Sequence, residues 1–286
     1  MRSLKEVLSI AKTSKVAIGH FNISDSTQFN AIVSAANEVD VPVLIGVSEG
    51  EKKFIGIQNA AALVRTAVDS GQEVYLNLDH GHSVTDCKDA IDAGFDSVMF
   101  DGSKLSFKEN INKTKEVVEY ARASGREVLV EGELGYIGSS SKMLDAVPEE
   151  VESAMTTVEQ AREFVETTGI DILAPSVGNI HGMLKSSGNP KLDIERITQI
   201  RDALPDDIFM VLHGGSGISD SNFTESIEAG INIVHINTEI RRAYREGIES
   251  ALKNDAEQIA PYKYINKGRD AVRAVVSARL KLFIKK

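Results

Sequence analysis

The chain has 286 residues, 42% of them hydrophobic and 26% charged, a composition that can bury a full core as one large domain or two small ones. A net charge of −10 argues against a general nucleic-acid or acidic-membrane binder, although a locally positive site could still take a small anionic substrate. The single cysteine, Cys87, excludes an internal disulfide and a thiolate zinc cluster.

The chain opens on MRSLKEVLSIAKTSK, whose charges interrupt the apolar pattern; this predicts an amphipathic helix and not a secretion signal. No apolar run approaches the roughly 20 residues needed to cross a bilayer, so a cytoplasmic protein is the default expectation. Short β-branched apolar runs then recur at Val16–Asn22, Val43–Ser48, Val74–Asp79, Ser97–Asp101, Glu127–Glu133, Asp171–Ser176, Ile208–His213 and Asn232–Asn237. Helix-like stretches separate them, among them Ser26–Val39, Ser83–Ala93, Phe107–Ser124, Thr157–Thr168, Ile194–Ala203 and Ser219–Ala229. Ser106 and Ser219 read as N-caps, and Gly94, Gly125, Gly169 and Gly230 follow helical stretches where a left-handed turn is needed. Beyond the last strand, Glu239–Leu252 and Asp270–Leu282 read as closing helices. The longest interruption, Gly135–Glu150, is rich in Ser and Gly and reads equally well as a mobile lid or a solvated loop.

Eight strand–helix alternations without a linker or composition break predict a (β/α)8 barrel, an α/β fold of one domain spanning residues 1–286. In that fold the C-terminal ends of the strands form the mouth where active sites lie. The six histidines, His20, His80, His82, His181, His213 and His235, all read as lying at or just beyond strand ends. Local satisfaction is the commoner fate of any single histidine. Six together, beside Asn22, Ser48, Asp79, Asp101, Glu131, Glu133, Asn179 and Asn237, predict one site built from several strands.

The motifs carry the chemistry. In Leu78-Asp79-His80-Gly81-His82 a histidine can bind a metal while the adjacent Asp faces substrate; the alternative is an Asp capping the next helix. In Val130-Glu131-Gly132-Glu133 the period of two puts both carboxylates on one side of the strand, where burial would demand a metal, a cation or a proton. Ser176-Val177-Gly178-Asn179-Ile180-His181-Gly182 and Val211-Leu212-His213-Gly214-Gly215-Ser216-Gly217 each place a histidine directly before glycine, whose backbone N–H groups can approach a phosphate. His80, His181 and His213 would make an open catalytic zinc site. Such an ion polarises a carbonyl, and a carboxylate beside it moves a proton. These parts suit carbon–carbon cleavage next to the ketone of a phosphorylated sugar.

At this point the sequence resembles the class II, metal-dependent ketose-bisphosphate aldolases. The likeness runs over essentially the whole chain, through Gly19-His20-Phe21-Asn22, Leu78-Asp79-His80-Gly81, Phe100-Asp101-Gly102-Ser103, Glu133-Leu134-Gly135, Gly178-Asn179-Ile180-His181-Gly182, Leu212-His213-Gly214-Gly215-Ser216-Gly217 and Asn237-Thr238-Glu239. It implies Zn2+ on His80, His181 and His213, Asp79 as the acid/base at the C4 hydroxyl, and Glu133 and Asp101 as carboxylates near the metal. It places Gly182, Lys185, Gly214, Gly215, Ser216, His235, Asn237 and Thr238 around the dihydroxyacetone-phosphate end, Asn22 at the mouth and Ser48 on the distal phosphate. It also implies a sodium or potassium ion on carbonyls near Gly182 and Gly214, a phosphorylated ketose as substrate, and a homodimer or homotetramer. Three positions depart from the pattern. His235 stands where the family usually has Asn, the Gly138–Lys142 segment has no carboxylate until Asp145, and Asn266, beside Lys267 and Arg269, falls where a basic residue meets the distal phosphate.

Rival readings are a metal-dependent hydrolase on the same fold and a non-catalytic sugar-phosphate-binding barrel. A lysine Schiff-base mechanism finds no lysine inside the strand segments.

Overall fold

The computed structural model describes the chain except residues 139–141, 148–150, 152–153 and 186–187, so part of the 135–150 segment lies outside the described residues. Eight parallel strands close into a barrel: β1 (Ile18–Asn22), β2 (Val43–Val47), β3 (Val74–Gly81), β4 (Ser97–Phe100), β5 (Leu129–Leu134), β7 (Ile172–Pro175), β9 (Phe209–Leu212) and β10 (Ile233–Ile236). The remaining pair, β6 (Met143–Leu144) and β8 (Met183–Leu184), forms a two-stranded sheet that ties the loop after β5 to the loop after β7. Nothing in the sequence pattern had suggested strands there. The predicted strands are otherwise observed with small shifts in their ends.

Period-two alternation sorts the strand residues into layers. Phe21, Ile45, Leu76, Val98, Val130, Leu173, Met210 and Val234 point outward into the apolar layer between sheet and helices. The opposite parity faces the interior. Its lowest level is apolar, with Ile18, Leu44, Tyr75, Leu129, Ile172, Phe209 and Ile233, and the amphipathic helix α1 (Leu4–Ser14) closes this end with Leu4, Val7, Leu8 and Ala11. Further along, the interior turns polar on β1, β3, β4, β5 and β10, where His20, Asn77, Ser97, Glu131 and His235 are buried, while β2, β7 and β9 carry Gly46, Ala174 and Val211 at that level.

Helices follow the strands as expected: α2 (Ser26–Val39), α3 (Glu49–Ile55), α4 (Ile57–Asp69), α5 (Val84–Ala93), α6 (Phe107–Ala123), α7 (Val158–Thr168), α8 (Ile194–Ala203), α9 (Asp220–Glu228), α10 (Thr238–Asn254) and α11 (Pro261–Phe283). Ser106 and Ser219 accept the backbone N–H bonds that cap α6 and α9. The last helix begins at Pro261, well before the expected Asp270, with the proline in its first turn. Gly268, inside this helix, is the point of close crossing with α10, where an added Cβ would meet Tyr244 at 2.7 Å.

Candidate active site

The mouth of the barrel holds one large cavity, lined among others by Asn22, Ser48, Asp79, His80, His181, Gly182, His213, Gly214, Ser216, His235, Asn237 and Thr238. Most residues marked in the sequence therefore converge. Gly215 is not in the lining; its N–H donates to the His235 carbonyl at 3.0 Å, and a Cβ there would strike that oxygen at 2.7 Å. Lys185 also stands outside the lining, with Nζ 2.9 Å from Asp145. Asn266, Lys267 and Arg269 lie on α11 and do not line the cavity of their own chain.

A local irregularity in β3 brings Asp79 and His80 to the same site. Neighbouring residues of a regular strand point to opposite faces. Here the register with β4 shifts between Leu78 and Gly81, and His80 takes a left-handed backbone with φ of 59°. A non-glycine residue held in that region is strained and persists only where its surroundings require it. The bulge turns both side chains into the cavity. Ser83, not Asp79, caps the following helix, which disposes of the capping alternative.

Around His80 the rings of His181 and His213 lie with centroids 4.9 and 5.1 Å away, all edge-on. One donor atom from each of His80, Glu133, His181 and His213 falls within 4.8 Å of the others. His80 Nε2, His181 Nε2, His213 Nδ1 and Glu133 Oε2 are buried without a hydrogen-bond partner among the described residues. The opposite nitrogens of two rings are held: His80 Nδ1 lies 3.1 Å from Asp101 Oδ2, and His213 Nε2 lies 2.6 Å from Glu131 Oε1. Four converging orphaned donors with carboxylates behind the rings fit a metal ion, since outer carboxylates set the tautomer and orientation of ligand histidines.

The charges tell the same story. Burial favours neutral His80 and His213, but Asp79 and Asp101 raise the first to about 10, and Glu131 raises the second. His181 is held well below its ordinary value by burial and by its two cationic neighbours. Burial pushes Glu133 up to about 7. A cation placed among these groups would favour neutral imidazoles and ionised carboxylates.

Asp79 faces the same space from the side. Burial alone would raise its carboxyl, yet His80, His235 and His20 together hold it well below the usual range. Asn22 Nδ2 donates to Asp79 Oδ2 and to Glu51 Oε2, at 2.8 Å each. Glu51 also accepts the Ser48 N–H at 2.8 Å and pairs with Arg241 at the rim. His82, half exposed, borders Asp101 and Glu49.

The glycine-rich loops are stapled together by Asn189. Its Nδ2 donates to the carbonyls of Gly182 and Ser216 at 2.8 and 2.7 Å, and its Oδ1 accepts the Leu184 N–H at 3.0 Å. The Gly182 carbonyl, near which the resemblance puts a monovalent ion, thus already accepts from an amide. Ser216 Oγ accepts the N–H groups of Asn237 and Glu239 at the start of α10.

Sequence reasoning left three residues of this site unmarked: Asn77, Glu51 and Arg241. Asn77 shares interior parity with Asp79, a signal that was available, and Glu131, marked as a carboxylate on the side of Glu133, was not tied to His213. Glu51 and Arg241 stand far apart in sequence, and nothing local marks them as a pair. His20 and His235 were expected at strand ends, but each is the third residue of its strand, one level below the mouth.

A family model described as "Fructose-bisphosphate aldolase class-II" matches residues 2–286. The chain belongs to that family. It is an aldolase, a carbon–carbon lyase of a metal-dependent family. Among curated proteins it is 40% identical over 285 residues to the fructose-bisphosphate aldolase of Geobacillus stearothermophilus, covering 98% of this chain and 96% of that one. It is 38% identical to the Staphylococcus aureus fructose-bisphosphate aldolase with the same coverage. Among solved structures the YdjI aldolase of Escherichia coli K12 superposes with a TM-score of 0.81 at 30% identity, covering 99% of this chain and 97% of that one.

Proposed function

We propose that the enzyme reversibly cleaves a ketose 1,6-bisphosphate, fructose 1,6-bisphosphate first, to dihydroxyacetone phosphate and glyceraldehyde 3-phosphate. The observation that carries this reading is the convergence of His80, His181, His213 and Glu133 within 4.8 Å, with Asp79 beside them at the barrel mouth. His80, His181 and His213 would hold the ion, Zn2+ by the character of a three-histidine set. When bound, the ion polarises the substrate carbonyl and stabilises the negative charge that develops next to it.

Asp79, ionised and fixed by Asn22, accepts the proton of the C4 hydroxyl. The C3–C4 bond then breaks. The aldehyde leaves with the new C4 carbonyl, and the electron pair stays with the three-carbon fragment until C3 is protonated. Gly182, Gly214 and Ser216 would receive the phosphate of that fragment. Glu133, buried beside the three histidines, is placed to pass a proton to or from the reacting carbons. Ser48 and Arg241 face the far end of the substrate across the rim.

A second reading changes only the sugar. His235 in place of the usual Asn, and Asn266 with no basic C-terminal residue in the lining, favour tagatose 1,6-bisphosphate or a ketose 1-phosphate. A homodimer or homotetramer is part of the same proposal, because it would let Lys267 or Arg269 reach a neighbour's mouth.

The test is a coupled assay of triose phosphate release from fructose 1,6-bisphosphate, tagatose 1,6-bisphosphate and fructose 1-phosphate, each with and without chelator. Cleavage of the first that stops with chelator and returns with zinc is expected. Cleavage that survives exhaustive metal removal would overturn the metal reading, and indifference to a C6 phosphate would overturn the bisphosphate reading.

A further inference from the structure

His20 is wholly buried, carries chemistry that the proposed mechanism does not use, and does not line the cavity. Its surroundings are built. β1 and β10 are neighbours in the barrel, and their register pairs His20 with His235. Both side chains face the interior, so the two rings meet face to face, with centroids 3.5 Å apart and planes within 6°. On its other side the His20 ring crosses β2 to reach β3, where its Nε2 lies 3.2 Å from Asn77 Nδ2. It can cross because Gly46 on β2 has no side chain: a Cβ there would lie 2.2 Å from His20 Cε1. Ser97 on β4 donates its hydroxyl to Asn77 Oδ1 at 2.8 Å, which turns the Asn77 amide nitrogen toward His20. A polar belt thus runs from β4 through β3 and over β2 to β1 and β10.

The belt ends on the acid/base. His235 Nδ1 lies 3.3 Å from Asp79 Oδ1, on the side of the carboxylate opposite the Asn22 contact with Oδ2. His235 lines the cavity; its Nδ1 stands within ion-pair reach of Asp79 without a formed hydrogen bond, and its Nε2 also lacks a hydrogen-bond partner among the described residues.

Two functions could use such a pair. One is a second metal site, since His20, Asp79 and His235 offer donor atoms within 4.8 Å of one another. The ring geometry argues against it. Imidazole lone pairs lie in the ring plane, and one ion cannot lie in two parallel planes 3.5 Å apart. The other is support. A ring gripped by a stack on one face cannot tilt, and its in-plane N–H keeps its direction.

We propose that His20 is a positioning residue for aldol cleavage: stacked on His235 and anchored by Asn77 through the gap at Gly46, it holds His235 so that one ring nitrogen fixes Asp79 and the other faces the substrate. His20 itself touches no reacting atom. The proposal deepens the aldolase reading above and rests on it. It accounts for the histidine at 235: an Asn side chain offers no ring face to stack on His20.

The test compares wild type, H20Q, H235N, the H20Q/H235N double variant and G46A as full-length, zinc-loaded enzymes. Gln at 20 keeps an acceptor for Asn77 but removes the stacking ring. H20Q is expected to lose ten-fold or more in kcat, with KM within two-fold and zinc content unchanged. The double variant is expected to be no slower than the slower single variant, because residues acting as one unit are not additive. G46A removes no polar group; its Cβ would displace the His20 ring, 2.2 Å from Cε1, and press on Asn22 Cγ at 3.2 Å. It is therefore expected to lose at least as much kcat as H20Q, and it carries the test if H20Q does not fold, because wild-type kcat in it would still overturn the proposal. Wild-type kcat in H20Q or G46A, a KM rise at unchanged kcat, lost zinc, or a double variant slowed by the product of the two singles would each overturn the proposal. Wild type inert on every ketose phosphate would instead overturn the aldolase reading, and this inference with it.

Discussion

Glu131 offers the sharpest test of the metal centre, because it touches only the back of a ligand ring. Its Oε1 lies 2.6 Å from His213 Nε2, and both side chains are 1% exposed. If His213 is to present Nδ1 to an ion, Nε2 must carry the ring proton, and Glu131 is the acceptor that keeps it there. Replacing Glu131 with Gln preserves shape but exchanges a charge-assisted bond for a neutral one, about half as strong. Charge-assisted bonds contribute roughly 1.5–3 kcal/mol against about 1 for neutral ones. The difference, together with a Gln amide that can also turn its NH2 toward the ring and favour the wrong tautomer, predicts about 1.4–2.7 kcal/mol of lost metal affinity, a factor of roughly 10–100. Titration of the metal-free variant against a zinc-binding dye measures this directly. Cleavage should return at excess zinc, since no reacting group has changed. Affinity within two-fold of wild type would refute the view that Glu131 orients His213; weak activity at saturating zinc would show that it acts on the chemistry itself.

Asp79→Ala is expected to lower turnover by about 10²–10⁴ while bound zinc, measured by metal analysis, stays constant; unchanged turnover would remove Asp79 from the mechanism. Borohydride added with substrate should trap no adduct by mass spectrometry, because no lysine lies within the barrel strands. Away from the site, burial raises the Asp96 carboxyl from 3.8 to about 6. The unfolded chain therefore gives up this proton first, so its contribution to stability falls as pH rises from about 4 to 6 and stays low above that. Two units correspond to at most about 3 kcal/mol. The urea midpoint of Asp96→Asn, which can still accept the Leu76 N–H, should gain on wild type between pH 4.5 and 7.5; a constant difference would contradict this.

Much of the barrel was legible because its signals are local. Each strand is a short apolar run buried on both faces, each helix has its caps within a few residues, and alternation of the two leaves a parallel closed sheet. The candidate ligand histidines were legible for a related reason. His213 directly follows β9 and His181 lies in the loop after β7, each beside a glycine, and the loops after strands in this fold open onto the mouth. Errors of reading arose where tertiary contact overrides local pattern. The last helix begins at Pro261 and not at Asp270, with Gly268 at a close helix crossing inside it, and Met143–Leu144 becomes a strand only through its partner Met183–Leu184. Lys185, expected at the phosphate, is turned onto Asp145.

The sequence by itself determined the fold class and marked His80, His181, His213 and Asp79 as candidates for one site, since periodicity and strand-end position are properties of neighbouring residues. Only the tertiary structure decided what stands behind them. The bulge that turns Asp79 and His80 together, the carboxylate of Glu131 on His213, the pair of Glu51 with Arg241, and the stack of His20 on His235 all depend on register between strands and on contacts across the barrel. Register is set when the sheet closes, and no local pattern near His20 states that its partner is His235.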